Sequence, residues 1–139
     1  MTIFSTSVPI LYANLCLLLG RLTVGIFMMV HGLPKLNRLT SGEEIKFADP
    51  FGFGPMITLG LAVFAEVICA IFIILGLGTR LASIPLIVTM AVVAFYAHAS
   101  DPFAVKEKPI LFLLIFLMLL VFGSGRYSID RLITKTPMQ

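Results

Sequence analysis

PMITLGLAVFAEVICAIFIIL, residues Pro55–Leu75, is an apolar run interrupted by one ionisable side chain, Glu66, near its middle. A helix needs about 20 apolar residues to cross the roughly 30 Å hydrocarbon core of a bilayer, and this run has that length. A second stretch, Leu11 to Leu33, carries Arg21 in the same manner. A charge at the bilayer centre costs roughly 2.5–3.5 kcal/mol on insertion scales. Each of the two charges therefore predicts a partner and a purpose.

The composition points the same way. The 139 residues are 59% hydrophobic and only 12% charged, without a tryptophan, and the mean hydropathy is +1.07. Soluble domains carry about a quarter charged residues, so an integral membrane protein of one domain, residues 1–139, is expected, with the lipid bilayer as its surroundings. The net charge of +3 is small and its Lys and Arg fall mostly in connections, which excludes nucleic acid as a partner. Cys16 and Cys69 both lie in apolar runs, outside any Cys-x-x-Cys pair, and read as small apolar residues rather than a disulfide framework. Met1 to Ile10 lacks a basic segment and a small-residue cleavage site, so the first span is expected to be retained.

Four spans follow, at about 11–33, 55–75, 81–98 and 109–122. Pro34 is expected to end the first, while Pro55 starts the second and Gly76 and Gly78 end it. Continuous apolar runs without alternation favour helices over a barrel, which predicts an all-α, antiparallel four-transmembrane-helix bundle. The long connection 37–54 has a polar first half with Glu43, Glu44, Lys46 and Asp49. Its aromatic, glycine-rich second half, Pro50 to Pro55, reads as an interfacial anchor or a cover over the bundle mouth.

Counting depth at about 1.5 Å per residue from each span end puts Arg21 and Glu66 at one level, roughly 15 Å from the N-terminal face. A buried Arg–Glu pair near mid-membrane is the simplest expectation, either as a clasp between helices or as a proton-carrying or headgroup-binding site. The same count gathers His31, His98, Lys35 and Asp101 at the opposite face, where imidazoles could relay protons or bind a quinone carbonyl. Two histidines fall short of the usual three or four metal ligands, so no metal is assigned. Gly25 and Gly32 share the Arg21 face, and Ala62 and Ala70 flank Glu66 at helical spacing, as close helix packing in lipid requires.

The order of these residues resembles the DoxX family: Gly20-Arg21 with Gly25, His31-Gly32-Leu33-Pro34-Lys35, Ala65-Glu66, Leu75-Gly76-Leu77-Gly78-Thr79-Arg80, His98, and Gly123-x-Gly125-Arg126-Tyr127-Ser128-x-Asp130. The resemblance implies a small four-helix protein of the bacterial inner membrane. It also implies a quinone-linked oxidoreductase subunit, as in the DoxD-type subunit of thiosulfate:quinone oxidoreductase or a mycobacterial complex tied to thiol and superoxide defence. On that reading Glu66, Arg21, His31 and His98 are the catalytic candidates, and Arg21, Glu66, His31, Lys35 and His98 would bind a quinone. The dithiol chemistry of the vitamin K epoxide reductase-like enzymes is not expected without their Cys-x-x-Cys. A non-enzymatic scaffold for a soluble redox protein and a small proton-coupled transporter stay open as alternatives, as does a homo-oligomer. Basic residues divide nearly evenly, with Arg80, Arg126, Arg131 and Lys135 on the N-terminal face against Lys35, Arg38, Lys46, Lys106 and Lys108. The positive-inside rule does not choose between them. The resemblance implies cytoplasmic termini, with His31 and His98 on the periplasmic side.

Overall fold

The computed structural model describes residues 8–134, within which every regular element is helical. The helices are α1 (Ile10–Thr40), α2 (Pro55–Leu75), α3 (Thr79–Ala97), α4 (Phe103–Phe122) and the short α5 (Ile129–Thr134). By length and composition α1, α2 and α3 can each cross a membrane. α4 is 20 residues long but carries Lys106, Glu107 and Lys108 in its first two turns, which sets it apart from those three. Large apolar side chains such as Leu19, Phe72, Leu81 and Val121 stand exposed on all four long helices. So much outward apolar surface suits lipid and not water.

α1 does not end at Pro34, as the sequence predicts; it runs on to Thr40. A proline inside a helix removes one hydrogen bond and costs about 3 kcal/mol in water. The continuation is held by burial, because Leu36 and Leu39 pack against Leu59, Val63 and Val67 of α2. α2 starts with Pro55 in its first turn and stops at Gly76, whose φ of 68° is the left-handed conformation that glycine adopts without strain.

Glycine also sets the spacing between α1 and α2. A Cβ on Gly32 would lie 2.8 Å from Val67 Cγ2 and 2.9 Å from the Glu66 carbonyl carbon, while one on Gly25 would run into Ile74 and the Ala70 carbonyl. These contacts fix an antiparallel register in which Gly25 meets Ala70–Ile74 and Gly32 meets Glu66. The main core forms where α1, α2, α3 and α4 meet, around Met28, Ile73, Leu86 and Phe116.

Two irregular segments are pinned by carboxylates. Asp49 accepts hydrogen bonds from the Phe53 and Gly54 amides and the Thr58 hydroxyl, tying the long connection to the start of α2. Asp130 accepts from the Gly78 and Thr79 amides at 2.7 and 3.3 Å, satisfying open donors at the N-terminus of α3 from far along the chain. Asn14 adds a third tie by accepting from the Arg126 amide at 2.7 Å.

Gly32→Ala should lower thermal stability in detergent by about 1–3 kcal/mol through overpacking against α2. Gly20→Ala, with nothing within 4 Å of the new Cβ, should leave the midpoint unchanged or raise it; equal losses in both variants would disprove the register. The Thr58 hydroxyl, followed by the Gly54 amide, holds the Asp49 carboxyl below its ordinary value. A depressed native pKa adds stability above the unfolded value of about 3.9, and that contribution is lost as pH falls through the native one. Limited proteolysis should therefore leave residues 41–54 intact at pH 7 and cut them only once the pH falls well below the ordinary carboxylate value of about 3.9, whereas Asp49→Ala should be cut at both.

Candidate functional site

The register of α1 on α2 decides which charges meet. Lys35 lies three residues beyond Gly32, on the same helix face, and its Nζ donates to Glu66 Oε1 at 2.5 Å. Glu66 is 1% exposed, and its other oxygen, Oε2, has no hydrogen-bond partner among the described residues. The Lys35 side chain remains 26% exposed, with Nζ 6.0 Å from the centre of the Phe47 ring.

The predicted Arg21–Glu66 pair does not form. Arg21 is fully buried at the opposite end of α2, where its Nη2 donates to the Tyr127 carbonyl and its guanidinium lies against Gly76. Glu66 meets α1 at Gly32, so the two charges are separated by roughly 16 Å along the axis at about 1.5 Å per residue. The depth count placed the ends of both spans at common membrane faces, but α1 is the longer helix and overshoots α2. Arg21 thus joins the C-terminal segment to the α2–α3 turn and belongs to no set with His31, Lys35 or His98.

Those three residues do come together with Glu66, around a chamber of ≈ 220 Å³. Met28, Met90 and Phe112 supply apolar wall, and His31 rests edge-on against Phe112 with centroids 6.4 Å apart. Lys108 also lines the chamber; the sequence reading counted it only as a surface charge. His98 Nδ1 lies 2.6 Å from Asp101 Oδ2. An ionised carboxylate only accepts, so the Nδ1–H donates to Asp101 and sets the orientation of the ring. The chamber wall thus carries two basic side chains, Lys35 and Lys108, and one buried carboxylate, Glu66, an environment that favours an electron-rich oxygen such as a carbonyl. Among the described residues no three His, Cys, Asp or Glu side chains are grouped to hold a metal ion. The cysteines are free, Cys16 exposed and Cys69 buried, and neither lines the chamber.

Two local backbone features adjoin the chamber. Glu66 sits in a π-helical turn, Phe64–Cys69, and α3 ends in another, Val93–Ala97, immediately before His98. Such turns are rare insertions that re-aim side chains and concentrate at functional sites. Neither has a proline or glycine inside it to announce it in the sequence.

A double-mutant cycle on thermal stability separates the two pairings. Lys35→Met and Glu66→Gln should couple by about 0.5–3 kcal/mol, while Arg21→Met and Glu66→Gln should add to within about 0.5 kcal/mol. Coupling of Arg21 with Glu66 above that level would refute the arrangement.

Comparison with known proteins adds a family. The DoxX family model matches residues 16–99. That range includes Arg21, His31, Lys35, Glu66 and His98, whereas the Gly123–Asp130 motif lies beyond it. An uncharacterized protein of Haemophilus influenzae is 29% identical over 111 residues, covering 75% of this chain and 74% of that protein. No solved structure gives a significant match.

Proposed function

Because this chain belongs to the DoxX family and is a multi-pass membrane protein, we propose that it is the membrane subunit of a quinone-linked oxidoreductase system. The observation that carries this reading is the buried Lys35–Glu66 contact, with a partnerless carboxylate oxygen, on a chamber that His31 and His98 also line. Intramembrane ionisable groups that are not fully paired are functional candidates by default.

The residues fit a quinone headgroup. Lys35 and Lys108 are donors without acceptor capacity, suited to a carbonyl oxygen. Imidazole is a side chain suited to proton relay, and the Asp101 contact steadies the His98 ring. A quinone taking two electrons and two protons becomes a quinol; the electrons would come from a water-soluble partner subunit. In this scheme Glu66 holds Lys35 in place and passes a proton between the imidazoles and the ligand oxygen. Arg21 has no part in it.

We read α4 as a fourth crossing, completing an antiparallel four-helix bundle. Lys106 near its start donates to the Ala99 carbonyl at 2.6 Å, which holds that charge at the α3–α4 connection, and the helix from Pro109 onwards is apolar. The bacterial inner membrane, with cytoplasmic termini and the His98–Asp101 pair towards the periplasm, is the location this reading carries.

The test is binding of a short-chain benzoquinone to protein in nanodiscs, followed by calorimetry. Glu66→Gln and Lys35→Met should each weaken binding about tenfold or more, equivalent to about 1.4 kcal/mol, and Arg21→Lys should not. Unchanged affinity in the Glu66 and Lys35 variants would sink the proposal.

A further inference from the structure

We propose that the chamber's ligand is a membrane amphiphile whose apolar chain lies in a second groove, between α2 and α3, so that the substrate is drawn from the bilayer and not from water. This rests on the chamber being the ligand site and extends it to the class of substrate. The chamber itself is small. At ≈ 220 Å³ it falls below the roughly 300–1,000 Å³ of pockets that enclose drug-sized ligands. A ring-sized head fits there, and a chain attached to it must leave.

The structure offers a place for that chain. A groove of ≈ 390 Å³ runs between α2 and α3 and has Lys35 and Val93 in common with the chamber. The two spaces therefore adjoin across these side chains. Leu61 and Phe64 of α2 and Ile84 and Val88 of α3 line the groove, each between 47% and 49% exposed. Its depth comes from Ala62, Ala65 and Ala97, and its cover from Phe47, Pro50 and Phe51 of the long connection. Both hydroxyls on its wall are already satisfied, Thr58 by Asp49 and Thr89 by the Pro85 carbonyl, each at 2.8 Å. The groove thus presents hydrocarbon along its length and an ammonium group at one end, which matches an apolar chain carrying a hydrogen-bond-accepting head. A bulk phospholipid chain could also lie against these side chains, but it would place no head at Lys35.

The probe is a benzoquinone bearing a decyl chain with a diazirine at its far end, photolysed with the protein in phosphatidylcholine vesicles. Labelling should concentrate on residues 61–65 and 84–97 and fall about tenfold under excess unlabelled decyl-benzoquinone. Val88→Phe and, independently, Ala62→Phe should remove the label from this groove while short-chain benzoquinone still binds. Labelling spread over all lipid-facing helices, or unaffected by the competitor, would overturn the inference. Displacement by a decyl chain on a redox-inert acceptor head, with short-chain benzoquinone not binding, would uphold the groove and remove the quinone reading instead.

Discussion

The close approach of α1 to α2 at Gly25 and Gly32 is the constraint on which the rest depends. Lipid tails are as apolar as leucine, so helices in a bilayer associate through van der Waals contact and polar bonds rather than by escaping water. Gly32 allows the backbone of α1 to settle on the backbone of Glu66. One turn later Lys35 comes within reach of the carboxylate and donates to it at 2.5 Å. A longer side chain at position 32 would part the helices and leave Glu66 as a lone buried charge, a state that costs several kcal/mol. The pair and the packing are thus one feature, and the chamber is the space left beyond it.

Arg21 answers a different problem at the other end. A three-residue turn, Gly76–Gly78, joins α2 to α3, and its two flanking glycines both have positive φ. The turn is held by the returning C-terminal segment, since Asp130 accepts from the first amides of α3 and its own amide donates to the Gly76 carbonyl at 2.9 Å. Arg21 lies beneath, bonded to Tyr127 and within the field of Asp130. Gly76, Tyr127, Ser128 and Asp130, all part of the DoxX-like pattern, form this closure. Its role is to fix three helix ends with one short segment.

Much of this was legible in the sequence, and the part that was not has a physical reason. Apolar runs of bilayer length gave the helices, because burial in lipid demands them whatever the tertiary arrangement. Glu66 was readable as a candidate because an ionisable group in an apolar run is costly, and His31, Lys35 and His98 because depth counting gathers them at one face. The partner of Glu66 was not readable. Pairing depends on register, and counting from span ends assumes that α1 ends at the plane where α2 begins; Leu36 and Leu39, by packing on α2, carry α1 past Pro34 and break that assumption. The two π-helical turns were also hidden, since their sequences Phe64–Cys69 and Val93–Ala97 have ordinary helix-compatible composition.

Separating Arg21 from Glu66 changes what the site can do. With an arginine beside it, the carboxylate would be locked in a forked pair of hydrogen bonds and held ionised. Lysine occupies only one of its oxygens, leaving Oε2 free of any partner among the described residues. The side chains around it also grade in exposure, from His98 and Asp101 at 37% and 44% to Lys35 at 26% and Glu66 at 1%. On the proposed reading, a proton from the aqueous side would meet the imidazole–carboxylate pair before the buried acid. That ordering and the basic side chains of the chamber wall would then let charge be moved as well as held. A structural clasp needs neither the spare oxygen nor the gradient.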